Sequence, residues 1–122
     1  MKKILLFLFL AFGTLFAFEE LTVDNFDQKI KGKNVVVDFH SPYWGSCKVL
    51  GQNITSYSTS DKPQNVEIYK VDVQEQKELA RRFKIYGIPV LIYFKDGKAV
   101  AQEMGIRSAQ ELKINVENYL LK

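Results

Sequence analysis

The chain has 122 residues, of which 47 % are hydrophobic and 25 % charged, with seven glycines and three prolines. That length holds one domain, and that composition excludes disorder, collagen-like repeats and low-complexity structure. The formal net charge of +3 is too small to argue for nucleic acid, and a single cysteine excludes an internal disulfide.

The first segment stands apart from the rest. Lys2 and Lys3 form a positive start, and Ile4 to Phe18 then carries no charge. Gly13 and Thr14 soften its end, and Ala17 offers a small residue for cleavage. This is the three-part pattern of a secretory signal peptide, so residues 1–17 are read as a leader cleaved near Ala17 and 18–122 as the domain. A membrane-spanning helix needs about 20 apolar residues, so membrane attachment follows only if the segment stays uncleaved. The short Lys-Lys start has a bacterial form. It places the mature chain in a periplasm or outside the cell, where thiols tend to be oxidised.

Along the domain, Asp24 to Lys31 reads as a short helix, with Asp24 as its cap, Phe26 and Ile30 on one face, and Gly32 as its stop. Asn34 to His40 contains the run Val35-Val-Val-Asp-Phe39, continuous enough for a strand buried on both faces. Cys47, Leu50, Ile54 and Tyr57 recur at helical spacing, so a helix follows, and Ser58 to Asn65 reads as a polar loop. Val66 to Val73 is a second strand, and Glu75 to Phe83 a helix with Leu79 and Phe83 on one side. Gly87-Ile88-Pro89 punctuates the chain before a third strand, Val90 to Phe94. Asp96-Gly97 then makes a hairpin to a fourth, Lys98 to Glu103. Ser108 and Glu111 form a capping box for a terminal helix with Leu112, Val116, Tyr119 and Leu120 inward. Strands separated by helices imply parallel pairing, and the hairpin adds an antiparallel edge. The expected architecture is a three-layer α/β/α sandwich around a mixed four-stranded sheet, with room for a fifth N-terminal strand.

The residues carrying chemistry cluster around the first buried strand. Asp38 sits inside an apolar run, where burying a carboxylate is costly. Cys47 sits one turn inside its helix, on the face shared with Leu50 and Ile54, where apolar surroundings raise a thiol's pKa. His40 is the single histidine, and packing is its plainer role. One His and one Cys cannot build a common four-ligand metal site, and no cofactor is expected. Asn53-Ile54-Thr55 matches a glycosylation acceptor, which on a bacterial helix reads as coincidence.

Taken in order, Val37-Asp-Phe-His-Ser-Pro-Tyr-Trp-Gly-Ser-Cys-Lys48, Lys70-Val-Asp72, Tyr86-Gly-Ile-Pro89, Phe94-Lys-Asp-Gly97 and Gly105 resemble the thioredoxin family over nearly all of 22–122. The resemblance implies the thioredoxin-like sandwich, a cis bond before Pro89, and a substrate groove. It implies that Tyr43, Trp44, Ile88 and Pro89 form an apolar exposed patch that docks an extended peptide or protein partner. It also implies that Asp38 relays a proton to Cys47, with Lys70 as charge partner and Gly45 and Ser46 in support. The departure is Trp44-Gly45-Ser46-Cys47 in place of Cys-x-x-Cys. Trp44 takes the place of the attacking cysteine, and Cys47 matches the resolving one. Two readings stay open: a binding protein deficient in dithiol exchange, or a monothiol oxidoreductase forming a mixed disulfide at Cys47.

Overall fold

A computed structural model describes residues 18–122; the leader expected over 1–17, with its cleavage near Ala17, lies outside the described residues. Strand β1 is Glu19–Glu20, β2 Asn34–His40, β3 Val66–Asp72, β4 Val90–Lys95 and β5 Lys98–Met104. They form one sheet in the order β1-β3-β2-β4-β5. β2 pairs parallel with β3 as expected but antiparallel with β4, a correction to the parallel pairing expected of strands separated by helices: the chain enters β4 from the opposite end of the sheet. β1 runs parallel to β3, and β5 antiparallel to β4. The fifth, N-terminal strand is therefore present, only two residues long.

The helices cover both faces, so the sandwich has three layers. They are α1 Phe26–Ile30, α2 Gly45–Ser60, α3 Lys77–Arg82 and α4 Ala109–Leu120. Successive side chains of a strand point to opposite faces, and β2 shows this at each step. Val35, Val37 and Phe39 join the core under α1 and α3 with Phe26, Ile30 and Leu79. Val36 joins the core under α2 and α4 with Leu50, Ile54, Leu112 and Val116. Each large apolar side chain fully buried there contributes about 1.5–3 kcal/mol. The same alternation puts Asp38 on the α2 face.

Three local expectations need correction. Asp24 does not cap α1. The chain first makes a turn in which Thr22 N donates to Asn25 Oδ1 at 2.8 Å and Phe26 N to Thr22 O at 3.0 Å, so the helix opens after Asn25. Helix α2 continues through Ser58 to Ser60, into the segment expected to be a loop. Its polar end is held from within, as Thr59 and Ser60 hydroxyls donate to Ser56 O at 3.1 and 2.8 Å. Helix α3 is shorter than expected, because Asp72 Oδ1 accepts from Gln74 N and Glu75 N in a turn before it. The hairpin and the last helix are as expected. Asp96 and Gly97 both take positive φ, 53° and 79°, the two-residue turn that suits twisted strands. Ser108 and Glu111 bond reciprocally at 3.1 and 2.9 Å.

Candidate functional site

Helix α2 starts where β2 ends, and this junction builds the site. Trp44 is its N-cap, in extended conformation and without a side-chain capping bond. Trp44 O accepts from Cys47 N at 3.1 Å and Lys48 N at 3.2 Å, which starts the helix. Ser41, fully buried, supports the turn, its Oγ accepting from Tyr43 N at 3.4 Å. Gly45 is exposed and Ser46 half-buried in the first turn. Trp44 is 55 % exposed.

Beside Trp44 lies a groove of about 650 Å³, mostly apolar, whose walls include Ile85, Tyr86, Ile88, Pro89, Met104 and Ile106. Trp44, Ile88 and Pro89 therefore come together as the resemblance implied. Tyr43 does not line the groove; it points outward, 82 % exposed. Pro89 is a buried wall rather than an exposed patch, because its carbonyl accepts from Gly105 N at 2.9 Å and is tucked beneath the exit of β5. The Ile88–Pro89 peptide bond is cis.

The third wall, Met104 to Ile106, was not legible as part of a site. A hub below holds it in place. Glu103 Oε1 accepts from Asn115 at 2.8 Å, Tyr93 at 3.2 Å and Arg107 at 3.3 Å, and Oε2 accepts from Tyr119 at 3.3 Å. Arg107 Nη1 reaches back to Met104 O and Ile106 O at 3.4 and 3.2 Å. Asn53 of α2 donates to Arg107 O at 2.9 Å, so the side chain of the acceptor sequence is engaged in tying α2 to this wall.

Cys47 faces elsewhere. It is 5 % exposed, does not line the groove, and borders a second cavity of about 360 Å³ together with Asp38, His40, Ser41, Lys48, Thr55 and Lys70. Ser41 stands in the wall of both cavities. Asp38 is 6 % exposed, and among the described residues its Oδ1 has no hydrogen-bond partner. Burial pushes its carboxyl up to about 7, against a smaller downward pull from Lys70. Lys70 is its register partner on β3, yet the two form no ion pair within 4.0 Å. Burial also pushes the Cys47 thiol up, with a backbone hydrogen bond at Ser41 opposing and the Asp38 charge adding to the rise. His40 Nε2 lies 3.4 Å from Glu20 Oε1, without the geometry of a hydrogen bond. Among the described residues, no group of three or more His, Cys, Asp or Glu is placed to hold a metal ion.

Comparison with known proteins agrees with this architecture. The family model for thioredoxin matches residues 17–118. A thioredoxin of Staphylococcus saprophyticus is 32 % identical over 104 residues, covering 85 % of this chain and 99 % of the relative. Thioredoxin-1 of Saccharomyces cerevisiae is 37 % identical over 89 residues, 72 % of this chain and 84 % of the relative. The solved structure of a Malassezia sympodialis thioredoxin superposes with a TM-score of 0.75 at 28 % identity, covering 84 % of this chain and 90 % of that one. With this sheet order, this strand-to-helix junction and these relatives, the chain belongs to the thioredoxin family.

Proposed function

We propose that the chain is an exported thioredoxin-fold protein that binds an extended peptide or protein segment in the Trp44–Pro89 groove and does not cycle a dithiol. Trp44 carries this reading. Thiol–disulfide turnover needs an attacking thiolate and a second thiol to release the mixed disulfide. A helix start favours a thiolate at its first position. An indole occupies that position here, half exposed against an apolar groove. Aromatic side chains in apolar pockets are strong binding anchors. The leader pattern of residues 1–17 supports export to a bacterial periplasm or beyond.

A monothiol exchange between Cys47 and a protein partner has less support. The thiol is buried and turned away from the groove.

A cysteine-free, fluorescently labelled apolar peptide provides the test, read by polarisation. Trp44→Ala is expected to weaken binding by about tenfold or more, the loss of a central anchor. Reduction of insulin disulfides by the unmodified chain is expected at the uncatalysed rate. Catalysed reduction that disappears in Cys47→Ser would overturn the reading.

A further inference from the structure

The second cavity shares only Ser41 with the groove and has its own chemistry. At about 360 Å³ it has room for a small molecule and none for a protein segment to thread. Two groups of opposite charge stand side by side on its walls without closing on each other. Asp38 and Lys70 are register partners across β2 and β3, yet no ion pair within 4.0 Å joins them. Asp38 is only 6 % exposed, and among the described residues its Oδ1 meets no donor. His40 Nε2, on the same walls, is also buried without a hydrogen bond among those residues, with Glu20 Oε1 at 3.4 Å. A buried polar atom without a partner is rare in a native structure, and two bordering one cavity call for a polar group from outside the chain. Lys70 is half-buried and Lys48 exposed, so the cationic side lies nearer solvent than the carboxylate. Much of the remaining wall offers little polarity. Phe18 and Pro42 are apolar, the Cys47 thiol is a weak donor, and the Thr55 hydroxyl is spent on Gly51 O at 3.0 Å.

We propose that this cavity reversibly binds a free α-amino acid with a small apolar side chain, its ammonium on Asp38 and its carboxylate on Lys70. A guest of one sign would satisfy one of these groups and be repelled by the other. A zwitterion, neutral overall, presents both signs on neighbouring atoms and so bridges the pair. The ammonium goes deep and donates to Asp38 Oδ1. It carries three donors, which leaves one for His40 Nε2 on the same walls. The carboxylate stays toward the opening, where Lys70 and the exposed Lys48 donate. The guest's side chain lies against Phe18 and Pro42. Burial pushes the Asp38 carboxyl up to about 7, and an ammonium beside it would favour the charged form again. No bond to Cys47 is made or broken.

The experiment titrates the purified protein with three small ligands at about pH 8, above the range in which Asp38 takes up its proton, and reads backbone amide NMR shifts. The ligands are valine, isobutylamine, which lacks valine's carboxylate, and isovalerate, which lacks its ammonium. Valine is expected to bind at least about tenfold more tightly than either, the worth of one hydrogen bond to a charged group. The shifts are expected at Gly51, Thr55 and Lys70 and not at Ile88 or Gly105. Lys70→Met is expected to weaken valine by about tenfold without weakening isobutylamine. Asp38→Asn is expected to weaken valine similarly without weakening isovalerate. No shift with valine, or equal affinity for all three ligands, would overturn the proposal and leave Asp38 and His40 to water alone. Shifts confined to Ile85–Pro89 and Gly105 would overturn it too, by placing valine in the groove. The three-ligand comparison uses the unmodified chain, so it decides the matter even if a variant fails to fold. Its failure would leave peptide binding untouched, since that reading rests on Trp44 and Pro89, which do not line this cavity.

Discussion

Asp38 is the residue at which burial and charge conflict most sharply. Its carboxyl titrates at about 7 in the folded chain, against an ordinary value of 3.8, because desolvation outweighs the pull of Lys70. The folded state therefore holds the proton across that window and the unfolded state does not. The stability this contributes is complete below pH 3.8, declines as pH rises through about 7, and is flat above. Denaturant titrations at about pH 5 and pH 8 should differ by about 3 kcal/mol, the more acidic being the more stable. Asp38→Asn should flatten the profile, leaving the two conditions alike; a profile unchanged by that substitution would place the titration elsewhere. Much of this was legible in the residues. A lone carboxylate in Val35-Val-Val-Asp-Phe39 signals a buried acid, and period-two alternation puts it opposite Val37. Its open side was not legible, because the gap to Lys70 depends on side-chain reach across two strands. Nor could spacing alone turn Tyr43 away from the groove, since both Tyr43 and Trp44 sit in the irregular turn between β2 and α2.

At the scale of elements, the groove depends on how β5 is fastened to α4. Glu103 accepts from four side chains on β4, α4 and the turn after β5. Tyr93 is fully buried, and without Glu103 its hydroxyl would keep only the 3.3 Å bond from Asn115. Glu103→Ala should cost about 2–3 kcal/mol, the penalty of stranding buried polar groups. It should also loosen the Met104–Ile106 wall and weaken peptide binding, measured together by thermal melting and polarisation. A variant as stable as the parent would mean that the hub is incidental. The hub was invisible in the sequence because Glu103, Arg107, Asn115 and Tyr119 converge only through the packing of α4. The elements were legible where the local signal was strong: the Asp96-Gly97 turn, the Ser108–Glu111 box and the apolar run of β2. They were misjudged at weak ends, where Ser, Thr, Asn and Asp side chains bond to nearby backbone and shift a helix terminus.

For the molecule as a whole, the continuous apolar run of β2 and the helically spaced apolar residues implied a sheet covered by helices on both faces. Alternation of strands and helices plus one hairpin implied the parallel β2–β3 pair and the antiparallel β4–β5 pair, but neither the order β1-β3-β2-β4-β5 nor the antiparallel pairing of β4 with β2. That order also leaves the sheet with two unlike borders. One is β1, two residues long and too short to recruit another chain. The other is β5, seven residues, with Val100 47 % and Met104 66 % exposed and an outer row of backbone groups that, among the described residues, faces no strand. Such a border is a template for runaway self-association. Two features blunt it: the Lys98 charge at its head, and the slipped register against β4 between Tyr93 and Phe94. Lys98→Val should hasten turbidity in concentrated solution while leaving the melting temperature nearly unchanged, as light scattering beside calorimetry would show. The open edge of a strand whose last residue helps wall the groove thus also bears on the concentration at which this protein can be kept in solution.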